Sequence, residues 1–191
     1  MIPSHPVSTW QYFDLISISA IFIILLILTL NHYRNTGLLE ATVSQTVAYS
    51  KNSSLIFSIA VTPFFPLYYG FLYFWVAPLT NMPKYFYYLL ILSALCELIF
   101  VWVPATNGRK KKVHGIMAGF VGIVMLIAPF LFLTQGTNLR VESKALILGF
   151  YILTLALGIS LISKKAREYL ILCESTYCLG FLVVMSVIAH T

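Results

Sequence analysis

The sequence predicts an all-α fold, a polytopic membrane protein built as a six-transmembrane-helix bundle, and three observations carry that prediction. Of 191 residues, 60% are hydrophobic and 9% charged, against roughly 25% charged in an average soluble domain. The apolar residues also fall in long runs, and a bilayer core about 30 Å thick needs about 20 helical residues to cross it. Finally, runs such as ISAIFIILLILTL are continuous and lack the apolar/polar alternation of a lipid-facing strand, so the spans are helices.

Six runs qualify within a single transmembrane domain covering 1–191: about 12–30, 55–77, 85–105, 113–134, 145–163 and 169–189. The first lacks a positively charged segment before it and a small-residue cleavage site after it, which predicts a retained helix rather than a cleaved signal peptide. Connections are short except residues 31–54, whose polar stretch EATVSQTVAYSKNSS reads as a surface loop or a short interfacial helix. Trp10, Tyr12, Trp75, Tyr85, Trp102 and Tyr169 fall near span ends, where amphipathic rings settle at the headgroup level.

Charge sets the expected orientation. With six spans, nine basic residues (Arg34, Lys51, Arg109 to Lys112, Lys164, Lys165 and Arg167) fall at one end and three (Lys84, Arg140, Lys144) at the other. The positive-inside rule then puts the RKKK and KKAR loops in the cytoplasm of a cell or plasma membrane and both termini outside it. The net charge of +6 orients spans and does not point to nucleic acid. Cys96, Cys173 and Cys178 lie inside apolar runs and form no CxxC pair, so they read as membrane-buried residues outside any disulfide framework.

Glu97 stands out, roughly 12 Å from the inner end of the third span, where insertion of a charged carboxylate costs about 2.5 to 3.5 kcal/mol. Ser93, one turn away, extends its polar face. Glu174 lies at a comparable depth in the sixth span, with Tyr177 and Cys178 on its face at i+3 and i+4. One reading is a bundle-interior site of Glu97, Glu174 and Tyr177 for a proton, a cation or a polar headgroup. The other is polar glue, each acid satisfying a group across a helix interface, or Glu174 pairing with Lys164 or Lys165.

The fourth span opens VHGIMAGFVG, which places Gly115, Ala118, Gly119 and Gly122 in overlapping small-xxx-small pairs and predicts the packing face of the most central helix. Pro63, Pro66 and Pro129 should kink the second and fourth spans. His5, His32, His114 and His190 include no i, i+4 pair, so solvated interfacial imidazoles are expected and neither metal nor haem nor another cofactor is called for. HExxH, GxSxG, P-loop and GxGxxG patterns are absent from the sequence. A short echo between YYLLILSALCEL and EYLILCES would correspond to an inverted three-plus-three repeat, but one match between Leu-rich spans does not establish it.

The third span ends FVWVPATNGRKKK and the fourth begins VHGIMAG: a proline, a short polar loop, then a histidine followed by small residues. This segment resembles the six-span DRAM/FRAG-like superfamily and its uncharacterised prokaryotic branch, with Pro104, His114 and Ala118 as the matching positions. The resemblance implies a membrane protein linked to lipid or membrane processes, with no catalytic residues to carry over; Glu97 and Glu174 are not part of it. The expected function is non-enzymatic: binding of a membrane lipid or small amphiphile in an interior polar cavity, with His114 beside the acids. Alternatives are a small proton-coupled secondary transporter using Glu97 and a membrane-embedded lipid-modifying enzyme. The oligomeric state stays open.

Overall fold

The computed structural model describes residues 9–36, 43–48, 51–103, 108–137, 139–160 and 162–190. Among them are helices α1 (Thr9–Thr36), α2 (Val43–Ala48), α3 (Lys51–Val61), α4 (Phe64–Phe71), α5 (Ala77–Leu79), α6 (Lys84–Trp102), α7 (Gly108–Gln135), α8 (Val141–Ser160), α9 (Lys164–Arg167) and α10 (Leu170–His190), and no strand. Six helical stretches are long and apolar enough to cross a membrane: α1, the composite 54–79, α6, α7, α8 and α10. This is the expected all-α six-helix bundle.

The second span is composite because its prolines remove backbone donors. The helix stops at Val61, resumes at Phe64 after Pro63, and passes through a π-helical turn at Leu72–Val76 before Pro78. There the Ala77 N–H reaches back to the Leu72 carbonyl. Pro129, by contrast, sits inside the continuous helix α7.

Each span packs on its neighbours in sequence, and the sixth returns to the first, so the spans close into a ring. The expected centrality of the fourth span is not met. Helix α10 touches α1, α2, α7, α8 and the π-helical turn, and its apolar window is the most buried of the six, 39% against 28% for α7. The bundle is densely filled toward the end bearing Lys84 and Arg140, where Phe71, Phe86, Phe132, Ile147 and Met185 are wholly buried. The other end carries the Arg109–Lys112 cluster and is called the basic end below.

The small-residue face of α7 is a second correction. A Cβ added at Gly115, Gly119 or Gly122 would meet no atom of another part of the fold within 4 Å, and Gly115 and Gly119 are exposed. The physical reason is competition between stripes on one helix. His114, Val121, Met125, Ala128 and Phe132 line the inward face, and at about 100° per residue Gly115 and Gly119 then point about 100° and 140° away from His114. The stripe carrying His114, whose imidazole needs partners within the protein, turns inward and leaves Gly115 and Gly119 facing out. Close approach occurs instead at Gly70, where an added Cβ would lie 2.9 Å from the Trp10 ring, which itself stacks on Phe74 at 5.1 Å. Gly119→Leu should therefore leave detergent stability within about 0.5 kcal/mol of wild type, while Gly70→Leu should cost about 1 to 3 kcal/mol by overpacking. Thermal unfolding of the two purified variants checks both, and equal losses would place the glycine face of α7 in a contact.

Tryptophans near the span ends also tie spans together. Trp102 Nε1 donates to Thr62 Oγ1 at 3.0 Å and Trp75 Nε1 to the Ala189 carbonyl at 3.5 Å. The long connection after α1 is not merely superficial: Thr46 and Val47 of α2 are buried, and α2 packs on α1, α3 and α10.

Candidate functional site

Glu97 reaches the interior because α6 turns one stripe inward: Phe86, Leu90, Ser93 and Val101 are buried, and Glu97 follows Ser93 by one turn on that stripe. A cavity of about 150 Å³ opens against it. Its polar lining includes Glu97, Glu174, His114, Tyr68 and Tyr69, and its apolar wall comes from α1, α2, α3, α4, α6, α7 and α10. Among the described residues, no Lys or Arg lines it. Glu97 and Glu174 thus face one space.

The polar groups around this space are tied in different ways. The Tyr69 hydroxyl hydrogen-bonds Ser93 Oγ at 2.8 Å and lies beside the Glu97 carboxyl. Glu174 Oε2 accepts the Val43 N–H at 2.7 Å, which anchors the start of α2 to α10. That contact is the polar-glue role, and it leaves the acid on the cavity wall. Tyr177, expected beside the acids, is turned elsewhere: its hydroxyl donates to the Gly122 carbonyl at 3.0 Å and its ring stacks on Phe150. Cys178 of the same helix face lines the cavity instead.

His114 differs from the solvated imidazole expected at a span end. It is 7% exposed, and its Nδ1 lies 2.9 Å from the Phe100 carbonyl and 2.7 Å from that of Val103. Two carbonyl oxygens can only accept, so Nδ1 carries the proton. The last carbonyls of a helix have no partner within it, and α6 has its own supplied from outside: His114 takes Phe100 and Val103, while Ser58 Oγ donates to Val101 at 2.8 Å. His114 Nε2 is buried without a hydrogen-bond partner among the described residues, on a side chain that lines the cavity. Of the three positions that carry the family resemblance, Pro104 lies outside the described residues, and Ala118 is half-buried one turn after His114.

A second polar cluster occupies the opposite end of the bundle. Asp14 of α1 is completely buried; its Oδ2 accepts from Ser186 Oγ at 2.5 Å and lies 3.4 Å from His190 Nε2. His190 Nδ1 in turn meets Gln11 Nε2 at 3.2 Å. The sequence reading missed Asp14 because it sits near the start of the first apolar run, where an acid passes for an interfacial residue. The available signal was composition: of six acidic residues, three (Asp14, Glu97, Glu174) fall inside spans, whereas the lysines and arginines fall at span ends or in loops.

Among the described residues no three His, Cys, Asp or Glu side chains cluster as a metal site would require. The chain matches no protein-family profile, no curated protein and no solved structure. The arrangement itself offers two carboxylic acids, one imidazole and two phenols on a small, largely apolar space. Such a space suits a ligand with an apolar body and a hydrogen-bond-donating head.

Proposed function

We propose that this integral multi-pass membrane protein binds a small amphiphile with a protonated amine head, its apolar body in the cavity and its head between Glu97 and Glu174. One observation carries the reading: both intramembrane glutamates line a single, largely apolar cavity with no Lys or Arg on its wall among the described residues. Carboxylates at this depth need a partner, and an ammonium group supplies both charge and donors. His114 Nε2 adds an acceptor for the same head. Size narrows the ligand further. A cavity of about 150 Å³ is comparable to an engineered apolar cavity that takes benzene, so a small aromatic or short-chain amine fits where a whole phospholipid does not. The nine-to-three excess of basic residues supports placing the basic end, and the cavity nearer to it, on the cytoplasmic side, with both termini outside.

Benzylamine, toluene and benzoate have similar bodies and different heads, so they separate charge recognition from apolar filling. Benzylamine should raise the unfolding temperature of the purified protein, since a ligand at 100 times its dissociation constant stabilises by about 2.7 kcal/mol. Toluene should do so less and benzoate not at all. Equal stabilisation by toluene and benzylamine would reduce the glutamates to structural ties.

A further inference from the structure

Asp14 is the least explained residue of the bundle. It is wholly buried within the first span, its Oδ1 has no hydrogen-bond partner among the described residues, and its Oδ2 is held by Ser186 and His190. Were it only a tie between α1 and α10, Oδ2 would suffice.

Two neighbours give Asp14 a connection in each direction. Toward the surface stands His190, whose side chain is 31% exposed while contacting an acid that is 0% exposed. Its other ring nitrogen faces the Gln11 amide, which can donate to a bare nitrogen or, flipped, accept from a protonated one. His190 can therefore stay hydrogen-bonded in either protonation state. Toward the interior stands Tyr68 of α4, 4% exposed. Its hydroxyl also has no partner among the described residues; α4 packs on the helix that carries Asp14, and Tyr68 shares the cavity wall with Glu97.

Depth puts these groups in order. At 1.5 Å per residue, measured from the end opposite the basic cluster, Asp14 lies about 8 Å in, Tyr68 about 16 Å and Glu97 about 20 Å. Tyr68 lines the cavity together with Glu97, Glu174 and His114. The series His190, Asp14, Tyr68, Glu97 thus leads from the surface to the cavity, with Glu174 and His114 beyond it toward the basic end.

We propose that Asp14 and Tyr68 form a proton route that connects the face bearing His190 to Glu97. A proton taken from water by His190 passes from Nε2 to the Asp14 carboxylate, leaving neutral imidazole and neutral acid. Asp14 then gives a proton to the Tyr68 oxygen as the Tyr68 proton leaves for Glu97, each transfer passing through an ordered water. Tyrosine ends unchanged, Asp14 is again a carboxylate, and Glu97 is neutral until it releases its proton into the cavity toward the basic end. The titratable groups facing Asp14 are Tyr68 from α4 and His190 from α10; α2 and α3, which also pack on α1, lie toward the basic end. Those facing Glu97 are Tyr68 and Tyr69 from α4, His114 from α7, and Glu174 and Cys178 from α10. A proton delivered to Glu97 would compete with a bound cation for the same carboxylate, so the route makes occupancy of the cavity proton-linked.

The test uses the full chain in liposomes loaded with pyranine, with an inside-negative potential set by potassium and valinomycin. Protons should enter faster than in protein-free liposomes, and Asp14→Asn should slow entry by about tenfold or more, as loss of a relay member does. Asp14 does not line the cavity, so the purified Asp14→Asn protein should still be stabilised by benzylamine. His190→Gln, at a more exposed position, covers the case in which Asp14→Asn fails to fold, and it should also slow entry. Wild-type entry no faster than in protein-free liposomes would overturn the route, as would wild-type rates in the variant that folds. Failure of benzylamine to bind would instead overturn the amine reading and leave the proton route standing.

Discussion

Replacing His114 with leucine should destabilise the bundle by about 2 to 5 kcal/mol, the cost of leaving two buried carbonyl oxygens without a donor. Both acceptors belong to the end of α6, and His114 Nδ1 is the side-chain donor that reaches Phe100 and Val103. Leucine fills the volume but donates nothing, and the Phe100 ring loses its edge contact with the imidazole at 5.4 Å. Asparagine, shorter but still a donor, should recover part of the loss. Thermal unfolding of both variants in detergent is the measurement. A Leu variant as stable as wild type would mean that water caps α6 and that the imidazole serves only the cavity. The same contacts explain physically why a histidine follows the Pro-containing loop: it closes the end of the helix before that loop.

Glu97→Gln should keep the fold and lose benzylamine stabilisation. The amide still hydrogen-bonds Tyr69 and its neighbours, so the interior stays satisfied, but it brings no negative charge to an ammonium head. Truncating one member of a buried charge pair costs about 2 to 5 kcal/mol of binding, enough to weaken benzylamine binding by about thirtyfold or more. Glu97→Leu should lose the binding as well, and should also cost about 1 to 3 kcal/mol of stability if the Tyr69 hydroxyl is left short of an acceptor. Unfolding temperatures with and without benzylamine separate the two effects. Undiminished stabilisation of the Gln variant would mean that Glu174 alone holds the head.

The spans were legible because crossing a bilayer demands length and apolarity, and both are properties of the sequence alone. Which face of each span turns inward was much less legible. Lipid tails and packed side chains are equally apolar, so the helices carry no soluble-protein contrast between a polar and an apolar side. Only charge breaks that symmetry: an acid at depth points to the interior, and Glu97 and Glu174 line the cavity, whereas small residues such as the fourth span's glycines suit a helix contact and a lipid-facing surface alike. Asp14 escaped because its neighbours on either side, Phe13 and Leu15, continue the apolar run. Its partners Ser186 and His190 stand more than 170 positions away, and no local pattern connects them. His114 was misjudged for a similar reason: its exposure depends on the end of a different helix, and the spacing of histidines says nothing about orphaned carbonyls.

Glu97 and Glu174 face one cavity, and the proposed function has them share one ligand. Carbon-13 NMR of the protein labelled at the glutamate side-chain carboxyls, assigned with single Glu→Gln variants and titrated with benzylamine, tests that claim most directly. Both resonances should move together and saturate at a common dissociation constant, while Glu142 at the opposite end of the bundle stays fixed. Movement of only one of the two, or of neither while the protein is still stabilised, would contradict the shared site.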